Sequence, residues 1–495
     1  MAADVAAPSI YDRRPRALKN AILAAAACTS ILVPATDTIY LPALDSVRRS
    51  LGGSIDEVAA SVSVYMAMVG VFSLLWGPLS DRYGRRRPLI LSLVLFLVAT
   101  AACPFSPTMT SLIVLRAIEG AVVCASVTVA QGVVADTFAP HERGTALGLF
   151  FLPLLVGPIV APIVGGALSG WQDWRATFFL LLVLGALILP IVCWLPETHH
   201  YFAYREVEAK GGPRAEDKAR PDDEGEAGGP GAADAGPTAA AAAASEPAAA
   251  AARPAAAPHD ELGVPQMEPP WVPLTFMVEE KLWPFVALSG ANFGGMFMSL
   301  TMLPTFLAAP PYSLSATMIG LCYVPIGLTM MAGSICGGIL SDRAAATAPG
   351  VVAARLVPSI IGSLVLPVGC LVFGFVLRQG GPLTVALILG HSLIGFGQAV
   401  YMAGFMAYLT TVKGRQASGA SAGSMTVNFV LAAVLISAAP PLQAALGTHG
   451  LFALIAGLHL AITVNAGLAQ RRFFAAGIEE ASAARAQEDK LAAAL

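Results

Sequence analysis

The chain has 495 residues, of which 56% are hydrophobic and only 12% are charged, and its formal net charge is −3. An ordinary soluble protein carries about 25% charged residues, so the composition excludes a soluble globular protein and predicts an integral membrane protein. The charges fall in loops and tails, so the net charge identifies no partner, and we expect no nucleic acid to bind.

The seven cysteines all lie within or beside apolar runs. Their number is odd and their spacing does not match a metal site, so we interpret them as small packing residues. The sequence also contains no Cys/His cluster, phosphate-binding loop or nucleophile elbow. We therefore expect no metal, no cofactor and no enzymatic activity.

Twelve apolar runs are long enough to cross a membrane as helices, and they predict an all-α integral membrane protein. The first run is too long for the apolar part of a signal peptide, so we expect an uncleaved span. The predicted spans lie near residues 21–43, 58–79, 88–104, 110–135, 144–168, 177–195, 282–307, 317–340, 355–377, 383–410, 417–440 and 450–470.

The spans form two groups of six, separated by a segment rich in charge, alanine and proline. Such a segment has little to bury and is predicted to be disordered. Arginine and lysine are concentrated in the loops on one side, which predicts that both termini are cytoplasmic. The predicted organisation is a cytoplasmic tail over 1–20, a six-helix bundle over 21–198, a cytoplasmic loop over 199–281, a second six-helix bundle over 282–472 and a cytoplasmic tail over 473–495.

Charged residues occur inside the predicted spans 1 and 4. Asp37 lies about six residues from the outer end of span 1, roughly 9 Å deep at about 1.5 Å per residue. Arg116 lies at a similar depth in span 4, and Glu119 follows one helical turn further in. A buried charge costs roughly 2.5–3.5 kcal/mol even on lenient insertion scales, and a contact between Asp37 and Arg116 would lower the cost of both charges.

Two interpretations of these three residues remain open. They either form an ion-pair cluster that only holds two helices together, or at least one carboxylate takes up and releases a proton. Burial favours the neutral form of a carboxylate and a neighbouring arginine favours the charged form, which allows titration near the working pH. The second interpretation makes Asp37, Glu119 and Arg116 a proton-coupling site.

A basic turn joins spans 2 and 3, with the sequence Gly-Pro-Leu-Ser-Asp-Arg-Tyr-Gly-Arg-Arg-Arg over 77–87. Its glycines allow close packing and an unusual backbone where one span ends and the next begins. A degraded copy, Gly-Gly-Ile-Leu-Ser-Asp-Arg over 337–343, lies at the equivalent place in the second half. The chain is therefore predicted to contain two similar halves.

Span 5 combines glycines, which let helices approach closely, with prolines, which bend a helix by removing a backbone hydrogen bond. A kinked and tightly packed helix is the direct expectation. The residues concerned are Gly157, Pro158, Pro162, Gly165 and Gly166.

The second half is poor in charge, and between residues 282 and 477 its only acidic residue is Asp342. Proton coupling is therefore assigned to the first half, and the second half is expected to shape a cavity. Polar, methionine and aromatic side chains inside the spans suggest an amphipathic wall that tolerates varied ligands, although ordinary packing is the better explanation of each one taken alone. The candidates are Tyr40, Gln131, Asn292, Met296, Gln398, Tyr401 and Asn428.

The basic turn closely resembles the signature loop between helices 2 and 3 of the major facilitator superfamily of transporters. Thr-Asp-Thr-Ile-Tyr-Leu-Pro-Ala-Leu over 36–44 resembles the first span of its twelve-helix drug:proton antiporter subgroup, which includes bacterial multidrug exporters and fungal quinidine-resistance-type proteins. Leu-Arg-Ala-Ile-Glu-Gly over 115–120 is similar to the superfamily's span 4 motif, with glutamate in place of the usual glutamine. The glycine and proline run of span 5 resembles the antiporter motif of exporters.

The resemblance implies two pseudo-symmetric six-helix bundles around one central site served by alternating access. It implies that Asp37 takes part in proton coupling and that the span 5 motif lies at the interface between the halves. It also implies a cytoplasmic latch, in which Asp81 lies against the start of span 11 and Arg85 pairs with Asp136. The predicted latch residues are Gly77, Asp81, Arg82, Gly84, Arg85, Arg86, Asp136, Asp342 and Arg343.

We predict a secondary active transporter, monomeric in the lipid bilayer and driven by the proton gradient. It is expected to export a small amphipathic organic compound, such as a drug, polyamine, organic acid or secondary metabolite, in exchange for protons. The alternative is a proton symporter or facilitator that takes up a small nutrient. The plasma membrane is the expected location, with a vacuolar or other internal membrane as the alternative.

Overall fold

The computed structural model describes residues 14–199, 269–348, 350–413 and 417–494. Within these ranges, 11 stretches of helix are long and apolar enough to cross a membrane. The last stretch, Gly419–Glu479, is 61 residues long, and its helix is broken at Gly447, where φ is 72°. We therefore count it as two spans, which agrees with the twelve spans predicted from the sequence.

The described helices follow the predicted order, and several spans are built from two or more consecutive helical segments. Span 1 consists of Arg16–Ser30, Leu32–Thr38, Leu41–Ala43 and Leu44–Leu51, span 2 of Ile55–Tyr83, span 3 of Arg86–Ala102 and Cys103–Phe105, span 4 of Met109–Val123 and Ala125–Thr137, span 5 of Pro140–Trp171 and span 6 of Arg175–Trp194. Span 7 consists of Trp283–Ala308, span 8 of Ala316–Leu321 and Val324–Thr347, span 9 of Val352–Leu356, Val357–Ser363 and Val365–Arg378, span 10 of Leu383–Val385, Ala386–His391 and Ser392–Lys413, and spans 11 and 12 share Ala417–Ala494.

Reciprocal capping boxes begin two of the described spans. The Ser54 hydroxyl accepts the backbone N–H of Glu57 at 3.1 Å, and the Glu57 carboxylate accepts the backbone N–H of Ser54 at 2.8 Å. Thr108 and Ser111 form the same reciprocal pair at the start of span 4. Such a capping box satisfies backbone donors that the first helical turn leaves unpaired, so it fixes where each of these helices begins.

The two halves pack against each other through spans 2 and 11 and through spans 5 and 8. We call the end of the molecule that carries residues 82–87 the basic end. Toward the opposite end, the Ser437 hydroxyl donates to the Ser63 hydroxyl at 2.8 Å, and the Thr317 hydroxyl donates to the Gly166 carbonyl at 3.2 Å. The halves are therefore closed against each other there.

Three glycines near the basic end have open space on the side where a Cβ would stand. A Cβ atom placed on Gly77 of span 2, Gly148 of span 5 or Gly338 of span 8 would meet no atom within 4 Å. These three glycines lie on the portions of their spans nearest the basic end. We infer that the halves diverge toward the basic end in this conformation.

Helix also occurs outside the predicted spans. Helix begins at Arg16, inside the predicted tail 1–20, and the last helix continues to Ala494 through the predicted tail 473–495. The helix Val272–Met277 lies within the predicted disordered loop 199–281 and has a buried methionine, Met277. Residues 200–268 of that loop lie outside the described residues, as do residues 1–13.

Candidate functional site

Arg116 is the centre of a buried charged cluster in the first half, and none of its surface is exposed. Its Nη1 donates to Glu119 Oε2 at 2.7 Å and to the Thr36 carbonyl at 3.2 Å. The guanidinium carbon lies 4.1 Å from the ring centroid of Tyr65 and 5.1 Å from that of Tyr40. Cation–π contacts are worth about 2 kcal/mol or more when desolvated, so the two rings stabilise a guanidinium that water does not reach.

Glu119 is the ionic partner of Arg116. The two residues are three positions apart on one helix, which brings their side chains onto the same face. The second carboxylate oxygen, Oε1, accepts a hydrogen bond from the Thr100 hydroxyl of span 3 at 2.7 Å. Both carboxylate oxygens of Glu119 are therefore partnered, and its charge is balanced.

Asp37 lies nearby with 2% of its surface exposed, and its Oδ1 has no hydrogen-bond partner. Among the described residues it forms no ion pair, so the predicted contact between Asp37 and Arg116 is absent in this conformation. Glu119 lies three positions from Arg116 on the same helix, which brings the two side chains together. Asp37 lies on a different span, so no such spacing places it against Arg116. Arg116 still has two donors without a partner, Nε and Nη2.

Arg85 is the centre of a second cluster, at the basic end. Its Nε donates to Asp136 Oδ2 at 2.8 Å and its Nη1 donates to the Ser80 hydroxyl at 2.7 Å, and it also pairs with Asp81. The contact between Arg85 and Asp136 is the one that the sequence predicts. Burial lowers the pKa of the guanidinium, but Asp136 and Asp81 outweigh burial, so the pKa of Arg85 is raised. The arginine therefore stays charged.

Asp81 pairs with Arg85 of its own half in the part of the chain that the structure describes. Its predicted neighbour is the start of span 11. Residues 414–416, which precede span 11, lie outside the described residues. The predicted contact between Asp81 and span 11 thus remains a prediction for another conformation.

Glu197 holds the turn between spans 2 and 3, a role that sequence reasoning missed. Its carboxylate accepts the backbone N–H groups of Arg85 at 2.8 Å and of Arg86 at 3.2 Å. A Cβ on Gly84, where φ is 87°, would lie 2.5 Å from Glu197 Oε2, so this position requires glycine. The only signal in the sequence is an acidic residue directly after Pro196, at the end of span 6.

The other predicted latch residues are dispersed. Span 2 continues as helix through Gly77 to Tyr83, so the turn is shorter than predicted and Gly77 is not part of it. Arg82 is exposed and lies beside the Tyr83 ring. In the second half, Asp342 pairs with Arg355 at 2.7 Å, and Arg343 is exposed.

The span 5 motif makes close backbone contacts with both halves. A Cβ on Gly157 would lie 2.7 Å from the Pro34 side chain of span 1, and a Cβ on Gly166 would lie 2.6 Å from the Ala316 carbonyl of span 8. Gly165 approaches the Ile39 carbonyl still more closely. Pro158 and Pro162 lie inside the same helix. Glycine is needed at these positions because any side chain would separate the helices.

The predicted cavity residues lie in different surroundings. Tyr40 belongs to the Arg116 cluster, and the Tyr401 hydroxyl donates to the Phe285 carbonyl at 2.6 Å. Asn292 and Asn428 are buried, and the Oδ1 atom of each has no partner, which leaves two acceptors available inside the second half. The remaining candidates, Gln131, Met296 and Gln398, are partly or fully buried within spans 4, 7 and 10.

Two further residues of the buried cluster, Tyr65 and Thr100, were not predicted. Each lies in a span without any charged neighbour in the sequence, and an isolated tyrosine or threonine in an apolar run is most simply a packing residue. Their roles depend on which helices are adjacent, which the sequence pattern does not show. Tyr65 is identified by the contact of its ring with Arg116, and Thr100 by its hydrogen bond to Glu119.

Helical spans in two similar halves, with buried charges in one of them, define a polytopic membrane transporter. The Major Facilitator Superfamily matches residues 26–437, and the chain belongs to that superfamily. Membership confirms the resemblance found in the sequence. It also confirms that the protein is not an enzyme, because the superfamily consists of transporters.

Two fungal relatives and one solved structure illustrate the similarity. The chain is 27% identical to the MFS antiporter QDR3 of Candida albicans over 92% of its own length and 78% of that protein. It is 31% identical to quinidine resistance protein 3 of Saccharomyces cerevisiae, but over only 41% of the chain and 29% of that protein. Its fold matches a crystal structure of a D-xylose-proton symporter with a TM-score of 0.61 and 14% identity, over 91% of the chain and 97% of that structure.

Proposed function

We propose that the protein is a proton-coupled antiporter that exports a small amphipathic organic compound, and that Asp37 carries the proton. The observation that carries the proposal is the unpaired state of this carboxylate, which is buried and forms no ion pair among the described residues. A buried carboxylate without a counter-ion is favoured in its neutral, protonated form. A change of conformation, or a cation that approaches it, would favour release of the proton.

Glu119 has a different role in this proposal. Its two oxygens are occupied by Arg116 and Thr100, so protonation would have to break an ion pair in surroundings of low dielectric constant. Glu119 therefore acts as the permanent counter-ion that keeps Arg116 charged. Arg116 in turn offers its two unpaired donors to Asp37 once that carboxylate loses its proton.

The charge balance of the cluster favours a cationic cargo. Arg116 and Glu119 cancel, so deprotonated Asp37 would leave one uncompensated negative charge in the first half. Among the described residues of the second half, no buried carboxylate is available to receive a cation, since Asp342 is exposed at the basic end. An amphipathic cation that replaces the proton on Asp37 would restore neutrality, and the candidate cavity residues of the second half would contact its apolar part.

We further propose that the basic end faces the cytoplasm, as the positive-inside rule predicts, and that the protein works as a monomer in the plasma membrane. The conformation described here would then be open toward the cytoplasm, ready to accept cargo. Pairing of Asp81 with the start of span 11 would accompany closure of that side. The antiporter named among the relatives supports export, whereas the fold alone is equally compatible with the symporter.

The test uses inverted membrane vesicles with an imposed proton gradient, in which lumenal pH and the uptake of labelled candidate compounds are followed together. Wild type is compared with Asp37→Asn, with Glu119→Gln, and with the matched control Asp56→Asn, which makes the same chemical change at an exposed site. We expect a cationic compound to drive proton release in wild type and control. Asp37→Asn should lose this coupling while remaining folded.

Proton exchange by Asp37→Asn at the wild-type rate would contradict Asp37 as the proton carrier. If Glu119→Gln then abolished coupling, Glu119 would be the carrier instead. Cargo movement without proton movement in every variant would contradict antiport and favour the facilitator. Cargo movement in the same direction as protons would favour the symporter. Selective transport of anionic compounds would contradict the cationic cargo.

A further inference from the structure

One face of span 11 is built from small residues and packs against span 2. The Thr426 hydroxyl donates to the Gly70 carbonyl at 3.0 Å and lies 3.1 Å from the Ser73 hydroxyl. Further toward the opposite end, Ser437 bonds to Ser63. The two helices are antiparallel, because residue numbers rise along one as they fall along the other.

The pairing of residues across spans 2 and 11 can be extrapolated toward the basic end. It would place Gly77 of span 2 opposite Gly423 of span 11, and Asp81 opposite Gly419. Helical spacing puts Gly419, Gly423 and Thr426 on one face of span 11. Yet a Cβ on Gly77 would meet nothing within 4 Å, so span 2 does not reach this part of the face.

The helix Val272–Met277 occupies the part of the face that span 2 leaves free. Gly423 approaches the Pro273 carbonyl so closely that a Cβ could not be accommodated, and the same Cβ would lie 3.3 Å from Met277 Cγ. A Cβ on Gly419 would lie 3.6 Å from the Phe276 ring. The glycines of span 11 thus form a seat for a neighbouring backbone, and here that backbone belongs to this short helix.

Polar contacts fasten the short helix and the residues after it to the end of span 10. Lys413 forms an ion pair with Glu279, and its ammonium lies 4.2 Å from the centroid of the Phe276 ring. The Lys413 side chain is only 9% exposed. The Tyr408 hydroxyl donates to the Lys281 carbonyl at 3.0 Å. The helix is therefore held in its seat from two directions.

We propose that Val272–Met277 is an intramolecular wedge that competes with the basic end of span 2 for the glycine face of span 11. While the wedge is seated, Gly77 and Asp81 cannot approach Gly423 and Gly419, so the molecule stays open at the basic end. Closure of the basic end therefore requires Val272–Met277 to move away from the glycines of span 11. This inference rests on the alternating access of the proposed function, but it concerns a conformational equilibrium that is measurable without transport.

The experiment measures the distance between spin labels at the basic ends of the two halves, in purified full-length protein reconstituted in nanodiscs. The labels are attached to Tyr83→Cys and Thr410→Cys, both exposed positions, after replacement of the exposed cysteines Cys28, Cys193 and Cys336. The test variant is Lys413→Glu, which repels Glu279 and removes the cation from Phe276. The matched control is Lys281→Glu, an exposed lysine nearby.

We expect Lys413→Glu to raise the ratio of short to long distances by roughly threefold or more, in keeping with the loss of a partly exposed ion pair. Lys281→Glu should leave the ratio unchanged. The exchanged pair Lys413→Glu with Glu279→Lys should move the ratio back toward the wild-type value, because it restores the ion pair but not the cation beside Phe276. Phe276→Ala, which removes part of the wedge without changing charge, should shift the ratio in the same direction and serves if the first variant fails to fold.

An unchanged distance distribution in both Lys413→Glu and Phe276→Ala would overturn the wedge. A shift that the exchanged pair did not reverse would also overturn it, because the effect would then not depend on the contact with Glu279. If the distances shift as expected while the vesicle assay shows no proton coupling, the wedge stands and the antiport proposal fails.

Discussion

The two halves of the molecule carry corresponding residues at one depth of spans 4 and 10, and they differ in charge. In the first half Arg116 lies under Tyr65 of span 2, whose hydroxyl donates to a span 1 carbonyl at 3.1 Å. In the second half His391 lies beside Tyr323 of span 8, with ring centroids 6.5 Å apart, and the tyrosine donates to a span 7 carbonyl at 2.8 Å. The repeat therefore reproduces the tyrosine and its hydrogen bond to a backbone carbonyl of the adjacent span.

The surroundings of the two central residues are opposite in kind. Arg116 has an ionic partner in Glu119 and an unpaired acid nearby in Asp37. His391 stacks on Phe373 at 5.1 Å, and neither ring nitrogen has a hydrogen-bond partner. The comparison teaches that pseudo-symmetry supplies the position in each half, while among the described residues only the first half has buried charged side chains there.

The basic ends of the halves show the same contrast. The side chains of Arg85 and Asp136 are 13% and 15% exposed, whereas Arg355 and Asp342 are 27% and 75% exposed. A Cβ on Gly132 would lie 2.9 Å from the Arg85 guanidinium carbon, so the first pair is also enclosed by a helix backbone. The degraded motif of the second half therefore also forms an ion pair, but that pair is more exposed to solvent.

The largest effect is expected when the buried charges are separated. Arg116→Met leaves Glu119 without a cation in the bilayer interior and should lower the free energy of unfolding by about 3–5 kcal/mol. His391→Phe replaces one ring with another of similar size and should change it by less than about 1.5 kcal/mol. Denaturant titration of both variants in the same detergent measures the difference. Equal losses would show that the two sites are equivalent and would remove the contrast.

A smaller effect is expected at the interface between the halves. Gly165→Ala places a methyl group against the Ile39 carbonyl and should cost about 1–3 kcal/mol by overpacking. Gly148→Ala, in the same helix but with nothing within 4 Å, should be neutral or stabilise by up to about 1 kcal/mol through helix propensity. Thermal unfolding midpoints would test this, and a loss at Gly148 as large as at Gly165 would show that helix flexibility, not contact, is being measured.

The smallest difference between matched variants is expected at the basic end. Asp136→Asn weakens a buried, charge-assisted hydrogen bond to Arg85 and should cost about 1.5–3 kcal/mol. Asp342→Asn disturbs an exposed pair and should cost less than about 1 kcal/mol. The difference should persist at high salt, because buried pairs are screened less than exposed ones. If added salt removed the difference between the two variants, Arg85 would have to be more accessible to solvent than its position indicates.

Much of the architecture followed from local patterns in the chain. Run length predicted the spans, and the pairing of Arg85 with Asp136 followed from the resemblance of the basic turn. Glu197 was missed because a carboxylate that caps a distant turn has no periodic signal. Tyr65 and Thr100 were missed for the same reason, since each acts through a residue on another helix.

The sequence alone determined that this is a membrane protein with repeated halves, and that its buried charges lie in the first half. These properties depend on hydrophobic run length and on motif spacing, which are local to the chain. Only the tertiary structure decided that Arg116 pairs with Glu119 and leaves Asp37 unpaired, and that Val272–Met277 occupies the glycine face of span 11. Those outcomes depend on distances between helices, because burial makes an unpaired charge costly only where the packed neighbours exclude water.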